Sequence, residues 1–426
     1  MGNKLNKKPV NGMKDVLPRE MAIRSWCMKI IRENYKSYGF TEIETPCVES
    51  IENLCSKQGG ENEKLIFKIM KRGEKLTSAM EAEGTKQEND FADSGLRYDL
   101  TLPLSRYYAN HANELPAPFK ALQIGSVFRA ERPQKGRFRQ FTQCDIDILG
   151  EPSNLAEIEL ILATTSTLRK LGFANFKVRI NERRILRAMA AYSGFEEERF
   201  DSVYIILDKM DKIGREGVCE ELLANEFAKE AVDRYMALFE GMQNTEDPFG
   251  YLKQTLGETL EEGVCESLAQ IREAVLAAGQ EGFEIVFDPT LVRGMGYYTG
   301  TIFEVEMADF GSSVAGGGRY DKMVGRFTGN DTPACGFSIG FERIITILLE
   351  QDFRIPGEQQ KVAFLLEKGL PTDKLAEAIA GAQEKRNEGC QVLMVRMNKN
   401  KKFQKQQLEA EGYEEFVEFY REALKQ

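Results

Sequence analysis

Histidine is almost absent from this sequence, and its scarcity excludes several kinds of chemistry. The single histidine, His111, would have to serve in any serine- or cysteine-based catalytic triad, and it could give only one imidazole to a zinc site. It lies in the polar segment Tyr107–Glu114, which is typical of the exposed end of a helix. We therefore expect a surface residue here, and neither a histidine-built zinc site nor a histidine-activated nucleophile.

The spacing of the cysteines gives no sign of a metal site or of disulfide bonds. The eight cysteines are scattered, and none forms a Cys-x-x-Cys pair, so the sequence indicates neither a zinc site nor a disulfide framework. No apolar run approaches the roughly 18–20 residues that a membrane span needs, and the N-terminus lacks the apolar core of a signal peptide. We expect a protein of the reducing cytoplasm with no membrane partner.

The common nucleotide-binding motifs are missing as well. No Gly-x-x-x-x-Gly-Lys-Ser/Thr loop occurs, and the glycines Gly316–Gly318 do not form a dinucleotide fingerprint. If the protein binds ATP, it must use arginines, whose planar fork bonds two phosphate oxygens at once. The formal net charge of -10 disfavours indiscriminate binding of nucleic acids, although a local basic site could still contact RNA.

The segment Phe128–Gly150 is the most informative part of what is present. Its first half carries five basic residues around one glycine: Arg129, Arg132, Lys135, Arg137 and Arg139. A predicted strand follows, with Gln143, Asp145 and Asp147 on one face and mainly apolar residues on the other. This arrangement suits a site that holds polyphosphate at one end and a cationic or hydrogen-bonding substrate at the other. Such a charge run can also be a solvated surface.

Length and periodicity predict an α+β protein with more than one domain. We expect residues 1–171 and 285–353 to form two parts of one core. Residues 172–284 predict a mostly helical insertion that lacks short strands, and residues 360–426 carry the βαβαβ pattern of a small α/β module. The segment 96–101 alternates like a strand, which would place Asp99 and Thr101 on one face.

Five motifs in sequence order resemble those of a known family. They are residues 39–50 with Pro46, Phe128–Arg132 followed by Arg137–Phe141, Leu291–Gly300, Ala315–Asp321, and Gly336–Arg343. The first two and the last resemble the class II aminoacyl-tRNA synthetases, and Leu291–Gly300 with Ala315–Asp321 resemble motifs specific to the histidyl-tRNA synthetase family. The resemblance covers about residues 10–350 closely and the tail weakly.

The resemblance implies the architecture and assembly of that family. We expect a class II synthetase-like antiparallel sheet of six strands, flanked by helices, at the centre of a catalytic core. The insertion would be a helical domain, and the module at 360–426 would be a shortened anticodon-binding-like domain. The segment 39–50 matches the dimer-interface motif, so the resemblance implies a homodimer.

The resemblance also implies the reaction. A member of this family activates L-histidine with ATP to histidyl-adenylate and transfers it to the 3′ end of tRNA(His). Mg²⁺ would accompany ATP through its phosphates. We expect no zinc, no organic cofactor and no metal held by side chains.

For the histidine site, the resemblance assigns a role to each matched residue. Asp99, Thr101 and Gln143 would receive the ammonium group, and Asp147 and Tyr298 would bond the two imidazole nitrogens. Arg293 would bind the histidine carboxylate and the α-phosphate together, and Tyr297 and Gly317 would complete the pocket. Other interpretations stay open: Asp99 and Asp145 as structural ion-pair partners, Tyr297 and Tyr298 as core aromatics, and Gly316–Gly318 as a tight packing site.

For ATP and tRNA, the matched positions lie in the basic loop and the last motif. Arg129 would hold the α-phosphate and act with Arg293 in catalysis. The other positions assigned to ATP are Glu131, Arg137 and Arg343, and those assigned to the tRNA acceptor end are Gln134 and Lys135. One departure stands out, because family members usually have Asp where this chain has Gly296.

Two other functions are compatible with this core. One is a histidine-sensing regulatory subunit of ATP phosphoribosyltransferase, which does not aminoacylate, and the other is an RNA-binding or scaffold paralogue. Regulatory subunits of this kind typically lose the ATP and tRNA elements. The presence of Arg129, Arg293, Arg343 and the loop 133–137 therefore favours the ligase.

Overall fold

The computed structural model describes residues 5–55, 63–134, 136–279, 281–294, 297–307 and 312–421. The chain forms two compact units. The first comprises Met1–Val16 and Arg24–Gln351, and the second comprises Leu17–Ile23 and Asp352–Gln426.

The strands of the described residues are, in chain order, β1 (Thr41–Glu42), β2 (Val48–Ser50), β3 (Lys68–Met70), β4 (Ala92–Leu96), β5 (Phe119–Phe128), β6 (Gln140–Leu149), β7 (Phe176–Glu182), β8 (Phe283–Phe287), β9 (Thr301–Met307), β10 (Ser312–Arg319), β11 (Ala334–Ile339), β12 (Lys361–Leu366), β13 (Gln391–Arg396) and β14 (Tyr413–Phe419). The α-helices are α1 (Pro18–Ser37), α2 (Ile51–Leu54), α3 (Glu74–Glu81), α4 (Thr101–His111), α5 (Leu155–Lys170), α6 (Arg183–Ser193), α7 (Phe200–Leu207), α8 (Met210–Ala224), α9 (Lys229–Gln243), α10 (Pro248–Leu256), α11 (Val264–Ala277), α12 (Lys322–Thr328), α13 (Phe341–Glu350), α14 (Thr372–Asn387) and α15 (Lys401–Ala410).

An eight-stranded sheet forms the centre of the first unit, in the order β1-β5-β6-β11-β10-β9-β7-β8. The six strands from β5 to β7 are antiparallel to their neighbours. This confirms the predicted antiparallel sheet. The observed sheet has two strands more than the predicted six, because β1 and β8 form its edges, and each runs parallel to its neighbour.

Strand β6 lies inside this sheet, between β5 and β11, and its alternation fixes which side chains meet the core. Cys144, Ile146 and Ile148 are at most 1% exposed, and burial of an aliphatic side chain of this size stabilises the fold by about 1.5–3 kcal/mol. A slip of one residue would turn these side chains to the opposite face. Packing of these three side chains in the core therefore keeps Gln143, Asp145 and Asp147 on the other face of the sheet.

Two sequence predictions about this unit are wrong. Strand β7 lies inside the segment 172–284 that was expected to lack strands, and the helices of that segment begin only at Arg183. The segment 96–101 is not a strand, because Leu96 ends β4 and Thr101 begins α4. The Oδ1 atom of Asp99 accepts the backbone N–H of Leu102 at 3.0 Å, a local bond that stabilises a turn before a helix.

The second unit contains the predicted βαβαβ module. Its sheet has the order β13-β12-β14, and both pairings are parallel. Val362 and Phe364 pack on one side of β12, while Ala363 and Leu365 pack on the other. This confirms the element order that the sequence predicts for residues 361–420. Within the described ranges, none of the helices has the length and apolarity that a membrane crossing requires.

Candidate active site

A cavity of about 1340 Å³ opens on the face of the main sheet that carries the polar residues of β6. Twelve residues predicted from the sequence line it: Asp99, Thr101, Arg129, Glu131, Arg137, Gln143, Asp147, Arg293, Tyr297, Tyr298, Gly317 and Arg343. They come from distant parts of the chain. Because they line one cavity, we infer that these motifs form a binding site.

Asp147 lies at the buried end of the polar face of β6. Its Oδ1 accepts a hydrogen bond of 2.6 Å from the hydroxyl of Tyr320, whereas its Oδ2 has no hydrogen-bond partner among the described residues. Gly336 on the neighbouring strand makes room for this carboxylate, since a Cβ there would lie 2.0 Å from Oδ1. Tyr320 belongs to a motif that the sequence reveals, but its bond to Asp147 was not predicted.

Three carboxylates of this cavity, those of Asp99, Asp145 and Asp147, have no ion-pair partner among the described residues. Burial raises the pKa of Asp147 to about 7, repulsion by Asp99 adds to the rise, and the Tyr320 hydroxyl opposes it. Burial, with repulsion by Asp147, raises the pKa of Asp145 well above its ordinary value. The pKa of Asp99 is also raised, mainly by burial. A cationic or N–H-rich ligand would relieve this cost.

Asp147→Asn should raise the stability of the ligand-free protein in a pH-dependent way. The folded-state pKa of about 7 exceeds the ordinary value of 3.8, so the folded protein binds more protons than the unfolded chain between these values. The parent therefore loses stability as pH rises through this window, and the loss is complete above pH 7. Asparagine removes the charge and keeps an acceptor for Tyr320.

Thermal melting at two pH values tests this expectation. We expect a gain on the order of 1–3 kcal/mol at about pH 8 and a smaller gain at about pH 5, because one pKa unit corresponds to about 1.4 kcal/mol. Asp93→Asn, on the exposed side of β4, is the control and should change stability little at either pH. An equal gain for Asp147→Asn at both pH values would contradict the proposed cause.

Two adjacent tyrosines form another wall of the cavity. Burial raises the pKa of Tyr298 to about 12, so its hydroxyl stays protonated at neutral pH. A Cβ at Gly294 would lie 2.4 Å from the Tyr298 ring, and Gly294 has a φ of +52°, a conformation that favours glycine. Tyr297 lines the cavity and also packs against the buried cluster around Tyr320. Both interpretations of Tyr297 therefore describe part of its surroundings.

Arginines from the basic loop and from two later motifs also line the cavity. The guanidinium of Arg129 stacks 4.2 Å from the ring centroid of Tyr98, and its Nε donates to the Tyr98 carbonyl at 3.2 Å. The pKa of Arg343 is lowered, first by burial and then by the charges of Arg137 and Arg293. Cations that repel each other at one place favour a polyanion such as a nucleotide phosphate.

Arg293 is held by an acidic partner that the sequence analysis missed. Its guanidinium forms an ion pair with Glu304 of β9. A Cβ at Gly316 would lie 2.3 Å from the guanidinium carbon, so this glycine gives the arginine its space and is more than a packing site. Glu304 also lies 3.8 Å from Arg179. Spacing along one strand could not reveal this network, because Arg179 lies on β7, Glu304 on β9, and Arg293 between β8 and β9.

The remaining predicted residues have different outcomes. Gln134 is exposed at the tip of the loop between β5 and β6, where its backbone pairs with that of Arg137, and it does not line the cavity. Lys135 and Gly296 lie outside the described residues. Neither Asp99 nor Asp145 forms an ion pair within the described part of the chain, which disfavours their interpretation as structural ion-pair partners. His111 ends helix α4, as predicted.

Comparisons with known proteins agree on one family. Residues 12–89 and 92–344 match the family described as Histidyl-tRNA synthetase. Over 419 residues, the chain is 43% identical to the histidine–tRNA ligase of Leifsonia xyli subsp. xyli, covering 96% of this chain and 94% of that protein.

Two solved structures are similar to the chain. The crystal structure of histidyl-tRNA synthetase from Nostoc sp. PCC 7120 has a TM-score of 0.76 and 28% identity, over 96% of this chain and 90% of that one. A protein from Bacillus halodurans, described as an ATP phosphoribosyltransferase regulatory subunit/histidyl-tRNA synthetase, has a TM-score of 0.76 over 97% of this chain and 98% of that one. Its identity of 20% establishes a common fold only.

Proposed function

The chain belongs to the histidyl-tRNA synthetase family, and we propose that the cavity on its main sheet is where L-histidine meets ATP. The activity of this protein is that of an ATP-dependent histidine–tRNA ligase. The observation that carries the assignment of the site is its lining, in which arginines from three motifs share one cavity with the buried carboxylates of Asp145 and Asp147.

The proposed chemistry needs no nucleophile from the protein. A carboxylate oxygen of histidine attacks the α-phosphorus of ATP in line, the bond to the bridging oxygen breaks, and pyrophosphate leaves. Arg129 and Arg293 stabilise the charge that develops on the α-phosphate, and the cavity positions the two substrates. The ribose hydroxyl at the 3′ end of tRNA(His) then attacks the carbonyl carbon of the adenylate and releases AMP.

We assign each of the other predicted residues that line the cavity to one of the two substrates. Asp99, Thr101 and Gln143 receive the ammonium group, while Asp147 and Tyr298 bond the imidazole nitrogens. Tyr297 and Gly317 complete the pocket wall around the substrate. The residues that hold ATP, besides Arg129, are Glu131, Arg137 and Arg343. Mg²⁺ enters with the phosphates of ATP, and neither zinc nor an organic cofactor takes part in this chemistry.

We also propose two macromolecular partners, tRNA and a second copy of the chain. Gln134, at the exposed tip of the β5–β6 loop, suits contact with the acceptor end, and we assign Lys135 the same role from the motif. The segment 39–50 contains the strands β1 and β2 and has Val48 46% exposed, which supports a homodimer interface there. We place the protein in the cytoplasm and assign residues 360–426 to anticodon-side contacts with tRNA.

The regulatory-subunit alternative is not favoured. The 43% identical relative is a histidine–tRNA ligase, and Arg129, Arg293 and Arg343 all line the cavity. Charging of tRNA with labelled histidine tests the proposed function directly. A ligase forms histidyl-tRNA when ATP is present, whereas a histidine sensor binds histidine and forms none.

A chain that ends at Gln351 should retain adenylate formation and lose part of its tRNA charging. The boundary between the compact units lies after Gln351, and all residues that line the cavity precede it. Lysine contacts to phosphate would be lost with residues 352–426, and these contacts contribute affinity that weakens with salt. We expect charging at limiting tRNA to fall by about tenfold, with histidine-dependent pyrophosphate exchange preserved. Loss of exchange in a folded truncation would show that the tail helps to build the active site.

A further inference from the structure

The buried carboxylates of this protein fall into two groups. Four have an arginine partner at 2.6–3.1 Å: Glu49 with Arg106, Glu157 with Arg319, Glu182 with Arg184, and Glu342 with Arg24. Within the described ranges, the buried Asp145 and Asp147 form no ion pair. An unpaired buried charge is costly, so these two positions are built for a cationic or N–H-donating ligand.

Asp145 differs from Asp147 in having no role in the assignments above. It is 4% exposed and lines the cavity. Its Oδ2 lies 3.4 Å from the amide nitrogen of Gln143, at the long limit of a hydrogen bond, and a hydrogen bond from the Ser338 side chain lowers the pKa of this carboxyl, against the larger effect of burial. Its Oδ1 has no hydrogen-bond partner among the described residues, and the same holds for Oε1 of Gln143. Two acceptors, from neighbouring positions of one strand face, are thus left for a donor that the ligand must supply.

The order of groups along β6 determines which donor reaches which acceptor. The strand begins at Gln140, next to the arginine-rich loop, and advances about 3.3 Å per residue. The carboxylate of histidine must face the α-phosphate at the arginine end. The ammonium group, on the same carbon as the carboxylate, therefore lies nearer that end than the ring does. Asp145 thus faces the ammonium group, and Asp147, two residues further, faces the ring.

We propose that Asp145 is a specificity-determining residue that accepts a hydrogen bond from the α-ammonium group of histidine, together with Gln143. This assignment rests on the proposed function of the cavity. It gives the ammonium group a charged acceptor on the sheet itself, in addition to Asp99 in the turn before helix α4. Discrimination against analogues that lack the amino group follows, because such analogues leave a buried carboxylate without a partner.

Calorimetric binding of two ligands to three proteins tests this inference. The ligands are histidine and imidazole-4-propionate, which lacks only the amino group. For Asp145→Asn, histidine should bind about 10- to 100-fold more weakly than to the parent, as expected for a lost charged hydrogen bond, whereas binding of imidazole-4-propionate should change less than about threefold. For the matched control Asp147→Asn, both ligands should weaken, because both contain the ring.

Each other outcome has a definite meaning. Equal losses for both ligands in Asp145→Asn, or no loss for either, would overturn the inference. Failure of the parent to bind histidine at all would instead contradict the proposed function of the cavity. If Asp145→Asn does not fold, Asp145→Ser is measured with the same two ligands. A loss confined to histidine supports the inference, and equal losses for both ligands would overturn it.

Discussion

Replacement of Arg293 by alanine is expected to slow histidyl-adenylate formation by about 10²–10³-fold, which corresponds to about 2.7–4 kcal/mol of lost transition-state stabilisation. Arg293 lies at the arginine end of the cavity and is fixed there by Glu304 and by the space above Gly316. Its charge is proposed to act on the α-phosphate as the negative charge grows. Stability should change little, because Glu304 still has Arg179 at 3.8 Å.

Single-turnover formation of the adenylate, with saturating histidine and ATP, measures this effect. Arg187→Ala is a matched control, since it removes an arginine from an exposed ion pair with Glu197 that is worth at most about 1 kcal/mol. The control should keep the parental rate. If adenylate formation by a folded Arg293→Ala variant stays within about tenfold of the parent, Arg293 does not have the proposed role.

Asp147→Ala should raise the KM for histidine by about 100-fold or more and leave the KM for ATP nearly unchanged. Removal of this carboxylate leaves the imidazole N–H of the substrate without an acceptor in a buried pocket, and unpaired polar groups in such pockets are costly. The hydroxyl of Tyr320 loses its partner as well. The cost falls on histidine because Asp147 is assigned to its ring, whereas the residues assigned to the phosphates are arginines that this substitution leaves in place.

Steady-state pyrophosphate exchange with each substrate varied in turn measures both constants. Tyr320→Phe is a useful companion variant, because it keeps the carboxylate and removes only the hydrogen bond of 2.6 Å. We expect it to raise the KM for histidine by roughly tenfold, since one hydrogen bond to a charged group contributes about 1.5–3 kcal/mol. Similar increases for histidine and ATP in Asp147→Ala would indicate a general folding defect instead.

The sequence predicts most of this site because its signals are local. Alternation along β6 places Gln143, Asp145 and Asp147 on one face, and the buried residues between them keep the register. Clustered basic residues before the strand indicate the arginine end. The motifs that carry Arg293 and Arg343 then add residues from later strands, and all these side chains meet at one cavity.

Contacts between distant strands are what the sequence could not predict. The bond from Tyr320 to Asp147 spans 173 positions, and the pairing of Arg293 with Glu304 depends on how the loop before β9 folds back. Strand β7 was missed although Phe176, Val178 and Ile180 alternate with polar residues, because the long helices around it dominate the composition. The turn at Asp99 was missed because a single side-chain bond to Leu102 overrides the strand pattern.

Pyrophosphate exchange into ATP, measured with each of the standard amino acids in turn, tests the central claim most directly. A cavity with an ammonium site, two partners for the ring nitrogens and arginines for the phosphates should support exchange with histidine alone. Exchange should also require no tRNA, since adenylate formation precedes transfer. Absence of histidine-dependent exchange in the folded protein, or comparable exchange with another amino acid, would contradict the proposal that this cavity activates histidine.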